Sequence, residues 1–145
     1  MSEANKVLIR RLFDDCLNPH DAALYPEFYA DVAYHAPTVG ELRNELHRQF
    51  LIGLFTAFPD GRWNIEDQIA EDDKVVTRWT FIGTQTGTFM GLIPSGKQWT
   101  GSGIVVDRIA DGRIVEEWEE WDTLGVMQQL SVLGSEATVW DLVAP

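Results

Sequence analysis

Five carboxyl side chains and two tryptophans make up one short stretch of the sequence, residues 116–122, which read Glu-Glu-Trp-Glu-Glu-Trp-Asp. As a β-strand, this stretch places Glu117, Glu119 and Trp121 on one face and sends the residues between them to the other face. A carboxyl group that faces an apolar cavity loses hydration, so its pKa rises and it can exchange protons with a substrate near neutral pH. The chemistry of this stretch therefore depends on which face the rest of the chain encloses.

The hairpin that precedes this strand allows two registers. A two-residue turn would pair Ile104 with Glu119, whereas a three-residue loop would pair Gly103 with Glu119 and Val105 with Glu117. In the second register Gly103 leaves space opposite Glu119. Two close carboxyl groups cannot both ionise at low cost, so this glutamate pair would supply an acid and a base without a metal ion.

The opposite face of the same hairpin is apolar in the second register. It brings together Ile104, Val106 and Trp118. Large apolar side chains grouped on a sheet surface indicate a contact with another protein surface. We therefore predict a homodimer that forms through this outer sheet face.

Composition excludes several classes of function. The chain has 145 residues, a net charge of −12 and a single cysteine, Cys16. Its length predicts one domain over residues 1–145, and its negative charge would repel nucleic acids and anionic membranes. The sequence shows no Cys/His spacing typical of a metal site, no apolar run at its start and no segment long enough to span a bilayer. We expect no cofactor and a cytoplasmic location.

The order of the predicted elements indicates an α+β fold. Helical periodicity precedes Gly61 and the alternation typical of strands follows it. The predicted helices cover 3–17, 21–28, 41–58 and 122–133, and the predicted strands cover 31–36, 62–70, 74–84, 97–109 and 113–121. The helices would pack on one face of a bent antiparallel sheet. The apolar loop 85–96 is expected to cover a cavity, and residues 135–145 form a tail.

Two histidines are predicted to lie in solvent without a role. His20 falls in the break after the first helix. His47 points away from the apolar stripe predicted for the helix over 41–58, which includes Leu46 and Phe50.

Several segments resemble the SnoaL-like polyketide cyclase family of the NTF2-like superfamily. The similarity runs over most of the chain, and its best segments are 58–61, 75–80, 83–87, 91–97, 108–116 and 121–130. The resemblance implies a cone-shaped α+β barrel, in which a bent antiparallel sheet wraps around the N-terminal helices and encloses an apolar pocket. In the cyclases, a carboxylic acid on the strand after the Asp-Gly hairpin is the general acid/base of an intramolecular aldol ring closure, without a metal or cofactor.

The resemblance places Glu119 at the position of that catalytic acid. It favours the second hairpin register, in which Glu117 lies beside Glu119 on the pocket side. The residues then expected to line the pocket and contact the substrate are Tyr34, Trp79, Phe81, Gly103, Val105 and Trp121.

The strand over 31–36 offers two further candidates. His35 would lie near the pocket mouth, where it could orient a carbonyl group or pair with a pocket glutamate; alternatively, it is a hydrogen-bonded core or edge histidine. Tyr34 has the same two options, because the strand is too short to show which residue points inward. Asp122 precedes Thr123 and is expected to cap the last helix rather than to act in the site.

The sequence departs from the family pattern at several positions. The catalytic acid of the cyclases is usually Asp, and here it is Glu119. The cyclases carry polar Gln and His at the positions of Gly103 and Val105. The related limonene-type epoxide hydrolases need Arg and Asp at the positions of Trp79 and Phe81, so that activity is disfavoured.

We therefore predict a cofactor-independent enzyme that acts on an apolar cyclic or polyketide-like carbonyl compound by aldol-type cyclisation or isomerisation. Glu119 would remove an acidic α-proton and return it to the developing oxygen, while Glu117 and His35 adjust its pKa. Two alternatives remain open. One is a protein that binds a hydrophobic small molecule without chemistry, and the other is a hydrolase of the same fold with a different acid pair.

Overall fold

One curved sheet of six strands organises the part of the chain that the computed structural model describes, residues 2–130. The strands are β1 (Tyr29–Ala36), β2 (Gly40–Arg43), β3 (Arg62–Glu71), β4 (Lys74–Thr84), β5 (Gln98–Ala110) and β6 (Arg113–Trp121). Their order in the sheet is β2-β1-β6-β5-β4-β3, so β2 and β3 are edges and the sheet is not closed. β1 runs parallel to β6, and the other neighbours are antiparallel.

Helical segments cover the inner face of this sheet. They are α1 (Ser2–Arg11), a π-helical segment (Leu12–Leu17), a 3₁₀ turn (Ala22–Leu24), α2 (Tyr25–Phe28), α3 (Glu45–Ala57) and α4 (Thr123–Gln129). The Asp122 side chain accepts a hydrogen bond from the Gly125 amide at 2.9 Å, which confirms the predicted N-cap. The predicted α+β fold is confirmed, although the β1–β6 pair makes the sheet mixed rather than fully antiparallel. The predicted tail, 135–145, lies outside the described residues.

The helix predicted over 41–58 begins later than expected. Residues 40–43 instead form β2, which pairs with β1, and Asn44, with a φ of 49°, separates that strand from α3. The buried positions of α3 include His47, which is 2% exposed, whereas Leu46 is 63% exposed. The predicted solvent exposure of His47 was therefore wrong. The predicted apolar stripe was right only in part, because Phe50 and Leu54 pack against the core whereas Leu46 faces solvent. His20 is also not free in solvent, since its Nε2 lies 2.9 Å from the Gly61 carbonyl oxygen.

The turn between β5 and β6 has two residues, Asp111 and Gly112. Their φ angles are 51° and 75°, both in the left-handed region that a type I′ hairpin turn requires. The turn pairs Ala110 with Arg113.

One extra residue, Val115, then forms a bulge in β6 and shifts the register by one position. Beyond this bulge Val105 pairs with Glu119, and Gly103 pairs with Trp121. Both predicted partners of Glu119, Ile104 and Gly103, are therefore wrong. The inner face nevertheless carries the residues that the second register assigned to it.

Gly103 makes room for an aromatic ring. A Cβ atom at this position would overlap the Trp79 indole and would lie 2.8 Å from the Glu120 carbonyl oxygen. The absence of a side chain thus lets the Trp79 ring lie flat across β5, on the inner face of the sheet.

Gly103→Ala should lower the free energy of unfolding by about 1–3 kcal/mol, because the added methyl group forces the Trp79 ring or the β6 backbone to move. Gly53→Ala is the matched control: it lies in α3 with nothing within 4 Å of the new Cβ, so it should be neutral or stabilising by about 0.5–1 kcal/mol. Urea unfolding of both variants measures the difference. Equal stabilities would contradict the proposed contact.

Candidate functional site

A cavity lies between the inner face of the sheet and the helical layer. The centre of a water molecule can move through about 60 Å³ of it, several times the space that one water molecule requires. Most of its wall is apolar, from the π-helical segment, α3 and aromatic residues of β3 to β6. Its polar lining residues are Tyr29, Tyr34, His47, Asp107, Glu117 and Glu119.

Glu119 is held in this cavity by two hydrogen bonds from other strands. Tyr34 Oη of β1 donates to Oε1 at 2.7 Å, and Trp79 Nε1 of β4 donates to Oε2 at 2.9 Å. Desolvation by the surrounding protein raises the pKa of Glu119 to about 7, against the lowering effect of the Tyr34 and Trp79 hydrogen bonds. Near neutral pH this carboxyl group is therefore available both as a base and as an acid.

A pair of carboxyl groups lies two residues further along the same strands. Asp107 of β5 pairs directly with Glu117 of β6, and these residues are only 1% and 5% exposed. Burial raises the pKa of Asp107 to about 6, while burial and the nearby Asp107 raise the pKa of Glu117 well above its usual range. The pair therefore retains a proton on Glu117 and shares it with Asp107.

His47 closes the deep end of the cavity from α3. Its Nε2 lies 3.4 Å from Glu117 Oε1, its Nδ1 lies 2.8 Å from Tyr25 Oη, and its ring stacks on Tyr34 at 4.6 Å between centroids. Burial lowers the pKa of His47 to about 3, so the imidazole is neutral at physiological pH. It supplies no positive charge to the carboxyl groups beside it.

The parallel pairing of β1 with β6 decides between the two candidates on β1. Tyr34 aligns with Glu117 and points into the cavity, whereas His35 aligns with Trp118 on the outer face. There His35 Nε2 lies 3.0 Å from Glu116 Oε2, and the ring stacks on Trp118 at 5.7 Å. The structure therefore does not bring His35 into the site.

The other predicted pocket residues are mostly brought together. Trp79, Phe81, Val105 and Trp121 line the cavity. Gly103 lies on the same face but does not line the cavity, because the Trp79 ring covers it.

Two site residues were missed from the sequence, and each had a detectable signal. Asp107 continues the alternation of Gly103 and Val105 along β5, so the face assignment already placed it in the cavity. His47 lies four residues before Leu51, a spacing that shares one face of a helix. The helix was instead predicted to face the core through the side that carries Leu46, which placed His47 in solvent.

The loop between β4 and β5 covers the apolar end of the cavity. Phe89 reaches inward, is 4% exposed and packs on Trp99 at 6.2 Å between ring centroids. Gln85 is fully buried and anchors the loop, because its side chain donates to the Leu92 carbonyl at 3.1 Å and accepts from Ser95 Oγ at 2.7 Å. The expected apolar loop thus contributes a wall residue.

Residues 2–130 present neither a metal-binding cluster nor a membrane-spanning helix. No group of three or more His, Cys, Asp or Glu side chains there could hold a metal ion. No helix in this part of the chain is both long and apolar enough to cross a bilayer.

The chain belongs to the SnoaL-like polyketide cyclase family, whose family model matches residues 7–130. This agrees with the fold and with the position of Glu119 on the strand after the Asp-Gly hairpin. A search of curated proteins found no significant match.

Solved structures share the fold over nearly the whole chain. A candidate SnoaL-like polyketide cyclase from Jannaschia sp. CCS1 is 25% identical with a TM-score of 0.84, covering 92% of this chain and 95% of that one. IdmH, a candidate polyketide cyclase from Streptomyces antibioticus, is 27% identical with a TM-score of 0.73. The match covers 88% of this chain and 98% of IdmH. AclR, a candidate hydroxylase from Streptomyces galilaeus, is 24% identical with a TM-score of 0.84, covering 96% and 92%, and shows likeness of fold alone.

Glu119→Gln should change how the free energy of unfolding depends on pH. The folded-state pKa of about 7 exceeds that of an unfolded glutamate, about 4.3. The stability contributed by the buried protonated group is therefore complete at low pH and is lost as pH rises through about 7. Relative to the wild type, the variant should gain about 1–3 kcal/mol between about pH 5 and about pH 8.

Urea unfolding at these two pH values measures this gain. Glu120→Gln is the control, because Glu120 is exposed on the opposite face of β6. A gain of the same size in both variants would show that the Glu119 carboxyl is not desolvated.

Proposed function

We propose that this protein is a cofactor-independent enzyme that uses Glu119 as a general acid/base on an apolar carbonyl compound, in an aldol-type cyclisation or an isomerisation. The observation that carries the proposal is the state of Glu119: a carboxyl group with a pKa of about 7, held by Tyr34 and Trp79 inside an aromatic cavity. Family membership and neighbours described as candidate polyketide cyclases support a polyketide-like substrate.

The proposed reaction conserves protons. The ionised Glu119 removes a proton from the carbon next to the substrate carbonyl, which forms an enolate. In a cyclisation, the enolate carbon bonds to a second carbonyl carbon of the same molecule, and the oxygen of that carbonyl takes the proton back from Glu119. In an isomerisation, the proton returns to a different carbon.

The groups around Glu119 would orient its carboxylate and set its pKa during this reaction. Tyr34 and Trp79 fix the orientation of the carboxylate, because their hydrogen bonds come from two different strands. Glu117 retains its proton, so it adds no second negative charge directly beside the ionised base. The charge of Asp107 raises the pKa of Glu119, and Glu117 would adjust that pKa through the proton it shares with Asp107.

The alternative reactions have less support. Trp79 and Phe81 occupy the positions at which the epoxide hydrolases need Arg and Asp, and both line the apolar wall. A protein that only binds hydrophobic small molecules would need the same cavity but no exchangeable proton at Glu119. The experiment below separates this alternative from the enzyme.

Exchange of α-protons tests the proposal without the natural substrate. β-Tetralone, a bicyclic ketone with an acidified benzylic proton, is incubated with the protein in heavy water and followed by proton NMR. The wild type should accelerate deuterium incorporation. Glu119→Gln should lower the protein-dependent rate by about 100-fold or more, since general acid/base groups contribute about 10²–10⁴.

Glu120→Gln provides the matched control, because it removes a carboxylate from the same strand outside the cavity. Its exchange rate should equal that of the wild type. If the Glu119 variant exchanges β-tetralone as fast as the wild type, Glu119 is not the base. Binding of the ketone without any exchange would favour the binding alternative.

A homodimer through the outer sheet face is a separate proposal. Ile104 is 47% exposed and Trp118 is 38% exposed. Val106 lies next to Ile104 on the same face of β5 and pairs with Trp118 of β6. Ile82, on the same side of β4, is 40% exposed. Burying this patch against a second copy would remove large apolar side chains from water. A cytoplasmic location likewise stays a prediction.

Trp118→Glu should convert the dimer to a monomer, because it places a desolvated charge at the centre of the contact. Light scattering at micromolar concentration measures the mass of the wild type and the variant. Val7→Glu is the control, since Val7 is 50% exposed on α1, in the helical layer on the other side of the sheet. A wild type that is already monomeric would refute the proposed interface.

A further inference from the structure

The deep end of the cavity holds acceptor atoms that nothing satisfies. Both carboxyl oxygens of Asp107 and Oε1 of Glu117 are buried and receive no hydrogen bond from a donor group among the described residues. The nearest candidate, His47 Nε2, lies 3.4 Å from Glu117 Oε1 without forming a hydrogen bond. A proton shared within the carboxyl pair can serve only one of these three atoms. Buried acceptors left in this state are rare and indicate a missing partner.

No positive charge from residues 2–130 balances these carboxyl groups. Among the described residues, no lysine or arginine lines the cavity. The titratable groups around the pair are Tyr29 and Tyr34 of β1, Tyr25 of α2, His47 of α3 and Glu119 of β6. None of them is cationic near neutral pH. Buried carboxylates are otherwise found paired with cations.

The walls next to the pair suit a cation that carries an apolar body. The faces of tyrosine and tryptophan rings attract organic cations. Tyr29 and Tyr34 lie beside the carboxyl pair, and Trp79 and Trp121 follow beyond Glu119 along the strands. An anionic ligand would meet two carboxyl groups and no cation from the described residues at this depth, so the arrangement selects against acids and phosphates.

We propose that the deep end of the cavity binds a protonated amine of the substrate, with the ammonium group donating hydrogen bonds to Asp107 and Glu117. An ammonium group has three N–H donors, which is enough for the oxygens that stay unsatisfied once the shared proton has served one of the three. The inference rests on the cavity of the proposed function and names its substrate class: an apolar carbonyl compound that bears an amine.

The strand geometry sets the distance between the amine and the reacting carbon. Asp107 and Glu117 each lie two residues from the Val105–Glu119 pair along their strands. Two residues of strand span roughly 7 Å. A substrate amine bound to the deep pair would therefore place a carbon roughly 7 Å away beside the Glu119 carboxyl.

Four small aromatic probes of similar shape test the inference: benzylamine, benzyl alcohol, toluene and benzoate, each titrated into the protein by calorimetry. Benzylamine should bind about tenfold or more tightly than benzyl alcohol, since a hydrogen bond to a charged group exceeds a neutral one by that much. Its affinity should rise from about pH 5.5 to about pH 8, as the carboxyl groups lose their protons. Buffers of different ionisation enthalpy should reveal protons released on binding.

Variants locate the amine site. Asp107→Asn keeps the shape of the side chain but not its charge, and it should remove the preference for benzylamine over benzyl alcohol. Glu120→Gln should leave that preference unchanged. The pH dependence and proton release of the wild type test the inference even if the Asp107 variant does not fold.

Three results would overturn the inference: benzyl alcohol binding as tightly as benzylamine, benzoate binding more tightly than either, or no binding by any probe. Failure here is distinguishable from failure of the proposed function. A preference for benzylamine with no β-tetralone exchange removes the reaction and keeps the amine site. Exchange without that preference removes the amine site and keeps the reaction.

Discussion

Three carboxyl groups share one desolvated space to which the described part of the chain brings no cation, and the structure of the site follows from that electrostatic constraint. Asp107 and Glu117 meet it by retaining a proton between them. Glu119 meets it through two donors, Tyr34 and Trp79, which come from strands on either side of the β5–β6 hairpin. The sheet order is therefore part of the chemistry: β1 must lie beside β6 for the tyrosine to reach the acid, and β4 must lie beside β5 for the indole to do so.

This constraint also separates two functions within one cavity. The pKa of Glu119 lies near neutral pH because desolvation and hydrogen bonding act in opposite directions on it. The pair of Asp107 and Glu117 has no such donors and stays acceptor-rich. One carboxyl group is thus prepared to move a proton, and the other two are prepared to hold a partner. The three carboxyl groups therefore differ in acidity and in hydrogen bonding although they share one cavity.

Most of the fold was predictable from local pattern, and the errors arose where long-range pairing decides. The strand over 74–84 and the Asp122 cap follow from alternation and from a short hydrogen bond within one turn, so the sequence alone indicated them. β2 was mistaken for helix because residues 40–43 have no strong strand pattern and depend on pairing with β1. Alternation grouped Glu117, Glu119 and Trp121 on one face, and the family resemblance predicted that this face points inward. Asp107 was missed because the inward face of β5 was followed only through Gly103 and Val105, and His47 was missed because the predicted phase of its helix turned it away from the core.

The bulge at Val115 determines which side chains of residues 116–122 face the cavity. A two-residue turn continued without it would align Glu119 with Ile104, which faces outward. The even-numbered residues of the stretch would then point inward, and Trp118 would enter the cavity in place of the carboxyl group. One residue of backbone, with no side chain in the site, thus decides which of two interleaved sets of side chains the cavity contains. An insertion or deletion at this position would exchange the two sets while leaving every residue of the stretch intact.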